Sequence, residues 1–433
     1  MGGSQTYPYG STAAVRGHVL AALGVLKVAT ADQVRRLMCP GHKDNKVVRN
    51  AALDLARHGL TVSEGNARDG QKLWGLTPLG LDAAAEVLGR PAGEMGGTAR
   101  GAARSGAPHA MAVNETVIAI TRTAPEPTRP VRPPVPPAPP TAPVPAVSAG
   151  IGTAASWWTE VAHNLPTAAR TRTGVRADAV LHAPEAGLPV LLVEVDRGTE
   201  SDDVLAAKFE KYRRFFRLKG KDHRGHDVPL WRSLYPSTGR EGHPPLVVVF
   251  APGTRLGEQA LKNRMDRVMD LAREHWSGSY KNTGSHNQAP DGYYDYSDAI
   301  PLLFTTLERL QTHGPHAGVW WRCGHGQWEA LPDALANPQD LEAWHQRDEH
   351  RRRRDEQEGQ QTPVTAVWGQ RSAAVFTPTP VPPQISCMRC GQPVSASDVP
   401  LAPAEDGRHC PACRVDLAQQ PPGLLKAFLQ RRP

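Results

Sequence analysis

Arg176-Ala177-Asp178-Ala179-Val180-Leu181 and, after a short gap, Val190-Leu191-Leu192-Val193-Glu194-Val195-Asp196-Arg197-Gly198-Thr199-Glu200 are apolar runs of strand length. Both carry carboxylates where a buried strand ordinarily has none. Glu194 and Asp196 stand two residues apart, so on a strand they project from one face. A buried acid costs several kcal/mol unless a cation or hydrogen bonds meet it. Carboxylates converging at strand ends therefore suggest a divalent-metal site.

The flanking sequence predicts an α/β core. Trp157–Ala162, Ala177–His182 and Pro189–Val195 read as strands, Val204–Leu218 as a helix and Leu246–Phe250 as a further strand. A helix over His109–Ile120 precedes them, and a basic amphipathic helix over Glu258–Trp276 follows. Residues 277–298 are polar and read as loop, before a last apolar patch at Ile300–Leu310, Val319–Trp321 and Trp328. The α/β domain is expected over 109–335, with a proline-rich insert at 124–147 that excludes helix and sheet.

Toward the N-terminus, residues 12–24 carry Val15, Val19, Leu20 and Leu23 at helical spacing. Thr30 with Gln33 forms the capping-box pattern for Ala31–Met38. Asp44–His58 reads as a third helix, ended at His58-Gly59. Strand-like Leu60–Ser63 and Lys72–Leu76 follow around a turn, then Thr77-Pro78 opens another helix. Three helices and a hairpin predict a winged helix over 10–90, followed by a Gly/Ala/Arg-rich linker at 91–108. Asp44–His58 would enter the major groove of double-stranded DNA, with Lys46, Arg49 and Arg57 on phosphates and Asn45 or Asn50 on base edges. Arg68 and Lys72 of the wing would add contacts. A protein-interaction winged helix is the competing reading.

At the other end, residues 336–384 form a charged and Pro/Gln-rich tether. Cys387-Met-Arg-Cys390 and Cys410-Pro-Ala-Cys413 are knuckles separated by 19 residues. That is the spacing of a four-thiolate structural zinc site, and a zinc ribbon is expected over 385–416 with a basic tail at 417–433. Two Cys-x-x-Cys pairs argue for metal over disulfides and for a cytoplasmic protein. No apolar run reaches membrane-spanning length, so no membrane partner is expected. The net charge of +7 fits a polyanionic partner. No Gly-rich phosphate loop with its Lys-Ser/Thr occurs, which argues against an ATP motor.

The order of elements resembles the core of the PD-(D/E)xK nuclease superfamily, with Asp178 and Glu194 in the places of its acids. That resemblance implies Mg²⁺ or Mn²⁺ at Asp178 and Glu194, with Val195 offering a main-chain carbonyl. Asp196 stands where the superfamily lysine is expected. Lys208, one turn before Tyr212, is the candidate for the displaced cation, and Glu115 on the preceding helix is a candidate further ligand. The competing reading makes Asp178 and Glu194 structural charges paired with Arg176 and Arg197. Taken together, the winged helix, His109-Ala-Met-Ala-Val-Asn114-Glu115, Arg176-Ala-Asp178, Glu194-Val-Asp196-Arg197-Gly198-Thr199-Glu200-Ser201, Lys208 and Tyr212 resemble the replication-relaxation family over roughly residues 12–255. The resemblance implies a plasmid or mobile-element protein of replication, nicking or transfer. The expected function is a metal-dependent DNA endonuclease or nickase. The alternatives are a non-catalytic replication initiator or regulator with a degenerate core, and a scaffold that recruits replication or transfer proteins.

Overall fold

Thr12 caps the first helix, α1 (Ala13–Leu26), by accepting the Val15 N–H at 3.3 Å. A three-residue strand, β1 (Val28–Thr30), leads into α2 (Ala31–Met38). Here the capping box closes as its residues dictate. Gln33 N–H donates to Thr30 Oγ1 at 3.2 Å, and Gln33 Oε1 accepts the Thr30 N–H at 3.3 Å. Then come α3 (Lys46–Arg57), β2 (Thr61–Asn66), β3 (Lys72–Leu76) and α4 (Pro78–Leu88), the last capped by Thr77. β1 is too short to show a period in the sequence, yet it pairs antiparallel with β3 and completes a three-stranded sheet in the order β1-β3-β2.

The structure is a computed structural model, in which residues 6–95, 98, 107–122, 150–164, 174–221, 224–251, 257–284, 291–361, 385–386 and 393–394 are described. Residues 1–359 form one compact unit and residues 360–433 a second.

Helix α5 (Ala107–Thr121) ties the N-terminal elements to the rest of the first unit. Its Asn114 is 1% exposed and donates to Val28 O at 2.8 Å and to Gln33 Oε1 at 3.0 Å. A mixed seven-stranded sheet follows. Its members are β4 (Trp157–Asn164), β5 (Gly174–Ala183), β6 (Leu188–Asp196), β9 (Leu246–Phe250), β12 (Leu302–Thr306), β13 (Trp320–Arg322) and β14 (Trp328–Glu329), in the order β14-β13-β12-β9-β6-β5-β4. β4, β5 and β6 are antiparallel neighbours, while β6, β9 and β12 run parallel. The central Leu246–Phe250 is buried throughout, which explains its unbroken apolar sequence.

Helix α6 (Asp202–Phe216) makes the crossover from β6 toward β9, followed first by a small ribbon of β7 (Lys219–Lys221) and β8 (Asp227–Pro229). Helices α7 (Glu258–Leu271) and α8 (Arg273–Trp276) come after β9. The stretch 277–298, read as loop, contains a hairpin, β10 (Ser279–Asn282) with β11 (Gly292–Asp295). Its first strand is exposed throughout and its second only half-buried, so neither shows an apolar alternation. α9 (Leu307–His313), α10 (Leu331–Ala334) and α11 (Leu341–Gln361) complete the helices of this region.

Alternation along β6 sorts the core. Leu191, Val193 and Val195 join an apolar cluster with α1, α3 and α5, whereas Val190 and Leu192 face Leu205, Phe209 and Tyr212 of α6 and Val268 of α7. The N-terminal helices and the sheet thus share one core.

Candidate active site at the ends of strands β5 and β6

The same alternation turns Glu194 and Asp196 toward α6 and α7. Glu194 is 1% exposed. Tyr212 OH donates to its Oε1 at 2.5 Å, and Lys208 Nζ lies 3.3 Å from its Oε2 and 3.1 Å from Glu200 Oε2. Lys208 and Tyr212 sit one turn apart on α6, so both reach one carboxylate. Ser201 caps that helix through the Val204 N–H. On β5, the recorded ladder to β6 ends at Ala179–Val193. Beyond it Asp178 Oδ2 accepts the Val195 N–H at 2.7 Å, and Asp178 Oδ1 lies 3.0 Å from His109 Nε2 of α5.

Burial, and then the charge of Asp178, push the Glu194 carboxyl up to about 8 against the pull of Lys208 and Tyr212. Burial pulls Lys208 down, but Glu194 and Glu200 outweigh it and leave the ammonium above its ordinary value. The hydrogen bond to Asp178 raises the His109 imidazole. Burial and Glu194 raise the Tyr212 phenol, which stays a donor. His109, Glu194, Glu200 and Lys208 border a cavity of about 40 Å³, room for an ion or a water.

The donor chemistry suits a hard cation. Each carboxylate has one oxygen fixed by a protein donor (the Val195 N–H or Tyr212 OH) and one facing a side-chain nitrogen (of His109 or Lys208) that an ion would displace. Among the described residues no ready group of three or more His, Cys, Asp or Glu side chains is arranged around an ion. Two carboxylates would supply only part of such an ion's ligand set, with water filling the remaining positions.

Of the other candidate residues, Asp196 borders the same cavity and Glu115 does not. Asp196 is committed to Arg264 of α7, which forks onto it at 2.6 and 3.0 Å, while its Oδ1 also takes the Gly198 N–H at 2.9 Å. Gly198 turns the chain at φ 69°, a backbone conformation that side chains rarely adopt. Arg264 also holds Asp202 and the Glu200 carbonyl, so it clamps the turn between β6 and α6. Glu115 is gripped by Arg36 through both guanidinium nitrogens, at 2.8 and 2.5 Å, and by Gln33 at 2.9 Å. Six residues along a helix place it about 240° around the axis from His109, away from Asp178 and Glu194. His109, which the sequence did not single out for the site, arrives instead. Arg176 pairs with Glu160 at 3.4 Å.

On α3, Lys46 and Arg49 are exposed, as are Arg57, Arg68 and Lys72. Asn45 takes the N-cap position and makes no side-chain cap bond. Asn50 donates to Tyr9 O at 3.1 Å, and the Arg57 guanidinium lies 5.9 Å from the Tyr9 ring. Lys72 Nζ lies 4.6 Å from the Trp74 ring centre. Asp54, fully buried, pins the N-terminal arm by accepting the N–H groups of Tyr9 and Ser11 and the Ser11 hydroxyl. Cys387, Cys390, Cys410 and Cys413 lie outside the described residues. Flanking the first pair, Ile385-Ser386 and Pro393-Val394 form an antiparallel two-stranded ribbon.

Fold and site together define a mixed α/β protein with a half-buried Asp178 and a buried Glu194, attended by lysine, tyrosine and histidine, at the ends of two adjacent strands. Residues 20–228 match the model of the replication-relaxation family. The match runs from α1 into β8 and includes His109, Asp178, Glu194, Lys208 and Tyr212, so the resemblance read from the motifs holds over that span. No curated protein and no solved structure matches the chain.

Proposed function

We propose that the protein binds double-stranded DNA and cuts or nicks it with a divalent metal, in the replication or transfer of plasmid or other mobile-element DNA. The observation that carries this reading is the Asp178–Glu194 pair, with Lys208 on the crossover helix, inside the segment that matches the replication-relaxation family. The succession of β4, β5 and β6, helix α6 and parallel β9 supports a PD-(D/E)xK-like core. Helices α1 to α3 with the β2–β3 hairpin support a winged helix that presents Lys46 and Arg49 to DNA.

In this reading Asp178 and Glu194 hold Mg²⁺ or Mn²⁺, which when bound polarises the scissile phosphate and acidifies the attacking water. Tyr212 fixes one Glu194 oxygen and so the direction of the other. Lys208, released from Glu194, faces the phosphate and stabilises the charge that develops there. His109 holds Asp178 until the ion takes its place on Oδ1. Arg264 holds the turn that carries Glu200 beside Lys208. Cys387, Cys390, Cys410 and Cys413 hold a structural zinc ion that folds the C-terminal ribbon.

The test is nicking of supercoiled cognate plasmid with Mg²⁺ or Mn²⁺, wild type against Asp178→Ala. Nicked circles from wild type only, with DNA binding kept by the variant, support the reading. No cleavage of supercoiled or single-stranded DNA with either ion leaves a non-catalytic initiator. The engagement of Glu194 by both Lys208 and Tyr212 is what favours that second reading.

A further inference from the structure

A second cavity, of about 630 Å³, opens where the N-terminal elements meet the edge strand β4, within the size range of small-molecule sites. Two of its lining residues, Lys27 and Glu160, are among the three non-glycine residues with positive φ in the described chain, at 66° and 53°. They form an ion pair at 2.5 Å, with Arg176 beside them at 3.4 Å from the same carboxylate. Lys27 follows α1 at φ 66° and ψ −50°, a strained γ-turn geometry that glycine would adopt without cost. Strain of this kind persists where the surroundings hold it in place, and it clusters at binding sites.

The inner wall is aromatic. Trp158 and His182 lie 4.6 Å apart between ring centres, and His182 and Tyr235 lie 5.5 Å apart. Behind them His163 is 2% exposed, with Nε2 at 2.5 Å from Tyr235 OH. Its Nδ1 has no hydrogen-bond partner in the protein. Burial holds the ring near a pKa of about 4, so it is neutral and offers one donor and one acceptor.

Cations at the mouth and rings along the wall match a planar heterocycle that carries an anionic group. We propose that this cavity binds a nucleotide, its phosphate displacing Glu160 from Lys27 and Arg176 and its base lying against the rings of Trp158, His182 and Tyr235. The same chemistry is offered by a free nucleotide and by one nucleotide of a single strand.

Calorimetric titration of the full chain without added Mg²⁺ or Mn²⁺ distinguishes them, using deoxyadenosine monophosphate and, separately, a short single-stranded oligodeoxynucleotide. Lys27→Gly and Arg176→Ala should each weaken binding by about tenfold, the loss of one charge-assisted contact. The melting temperature of Lys27→Gly should hold or rise, because the strained backbone relaxes. Variant-sensitive binding of the monophosphate identifies a free nucleotide, and variant-sensitive binding of the oligonucleotide alone identifies a strand. Binding of neither probe, or the same affinity in both variants as in wild type, overturns the proposal.

Discussion

Glu194 is held in a fully buried position by opposing forces. Lys208 and Tyr212 favour its charged form, while burial and Asp178 oppose it and win, raising the carboxyl from 4.5 to about 8. A carboxyl whose folded pKa is raised gives stability that is fully present below its unfolded pKa and is lost as pH rises through the folded value. Metal-free protein should therefore lose stability from about pH 4.5 to about pH 8, in total on the order of 3–5 kcal/mol. Glu194→Gln should flatten that slope, which urea midpoints at about pH 5 and about pH 9 would read; parallel slopes in the two proteins refute the assignment. Asp196 makes the opposite case. Because Arg264 already occupies it, Asp196→Lys sets two cations against each other instead of restoring a nuclease lysine. That variant should lose about 3–5 kcal/mol, the usual cost of breaking a buried pair, and unchanged stability would contradict it.

Helix α5 divides its work between two faces. Asn114 and Glu115 bind it to β1 and α2, whereas His109 reaches Asp178. Asn114→Ala leaves the buried Val28 carbonyl without this donor and should cost about 1–3 kcal/mol. His109→Ala should change stability by less than about 1 kcal/mol, its side chain being partly exposed, while altering metal affinity. Equal destabilisation by the two variants would make α5 a purely structural element. Helix α3 divides in a similar way. Its Asn50 and buried Asp54 hold the N-terminal arm, which leaves Lys46 and Arg49 exposed for phosphate. Lys46→Ala with Arg49→Ala should weaken DNA binding and lower the salt slope by about 2, measured by binding isotherms over a range of salt concentrations. An unchanged slope would move the DNA-binding surface elsewhere.

Across the whole molecule, the core that joins the N-terminal helices to the sheet predicts joint unfolding. Leu23, Val48 and Trp74 share one apolar cluster with Leu181, Val193 and Trp320. Hydrogen exchange should show α1 to α4 and the sheet opening together, and earlier opening of residues 13–88 would contradict this. Residues 360–433 form a separate unit, so chelation of zinc should unfold 385–416 and leave the melting of the first unit unchanged. Fewer than one zinc per chain, with all four thiols titrating freely, would refute the ribbon.

What the sequence determined was local: the capping box at Thr30 and Gln33, the apolar runs of β5, β6 and β9, the i,i+4 placing of Lys208 and Tyr212, and the spacing of the cysteine pairs. Each depends on neighbours a few residues apart, where helical and strand periods suffice. The motif string around Glu194 also carried the family resemblance. Only the tertiary structure decided which carboxylates stand together. Arg264 reaches Asp196 across 68 residues and His109 reaches Asp178 across 69, while Arg36 draws Glu115 away across 79. Partners so distant along the chain leave no period in the sequence. Burial, which sets the state of Glu194, arises only once the sheet and α6 close over it.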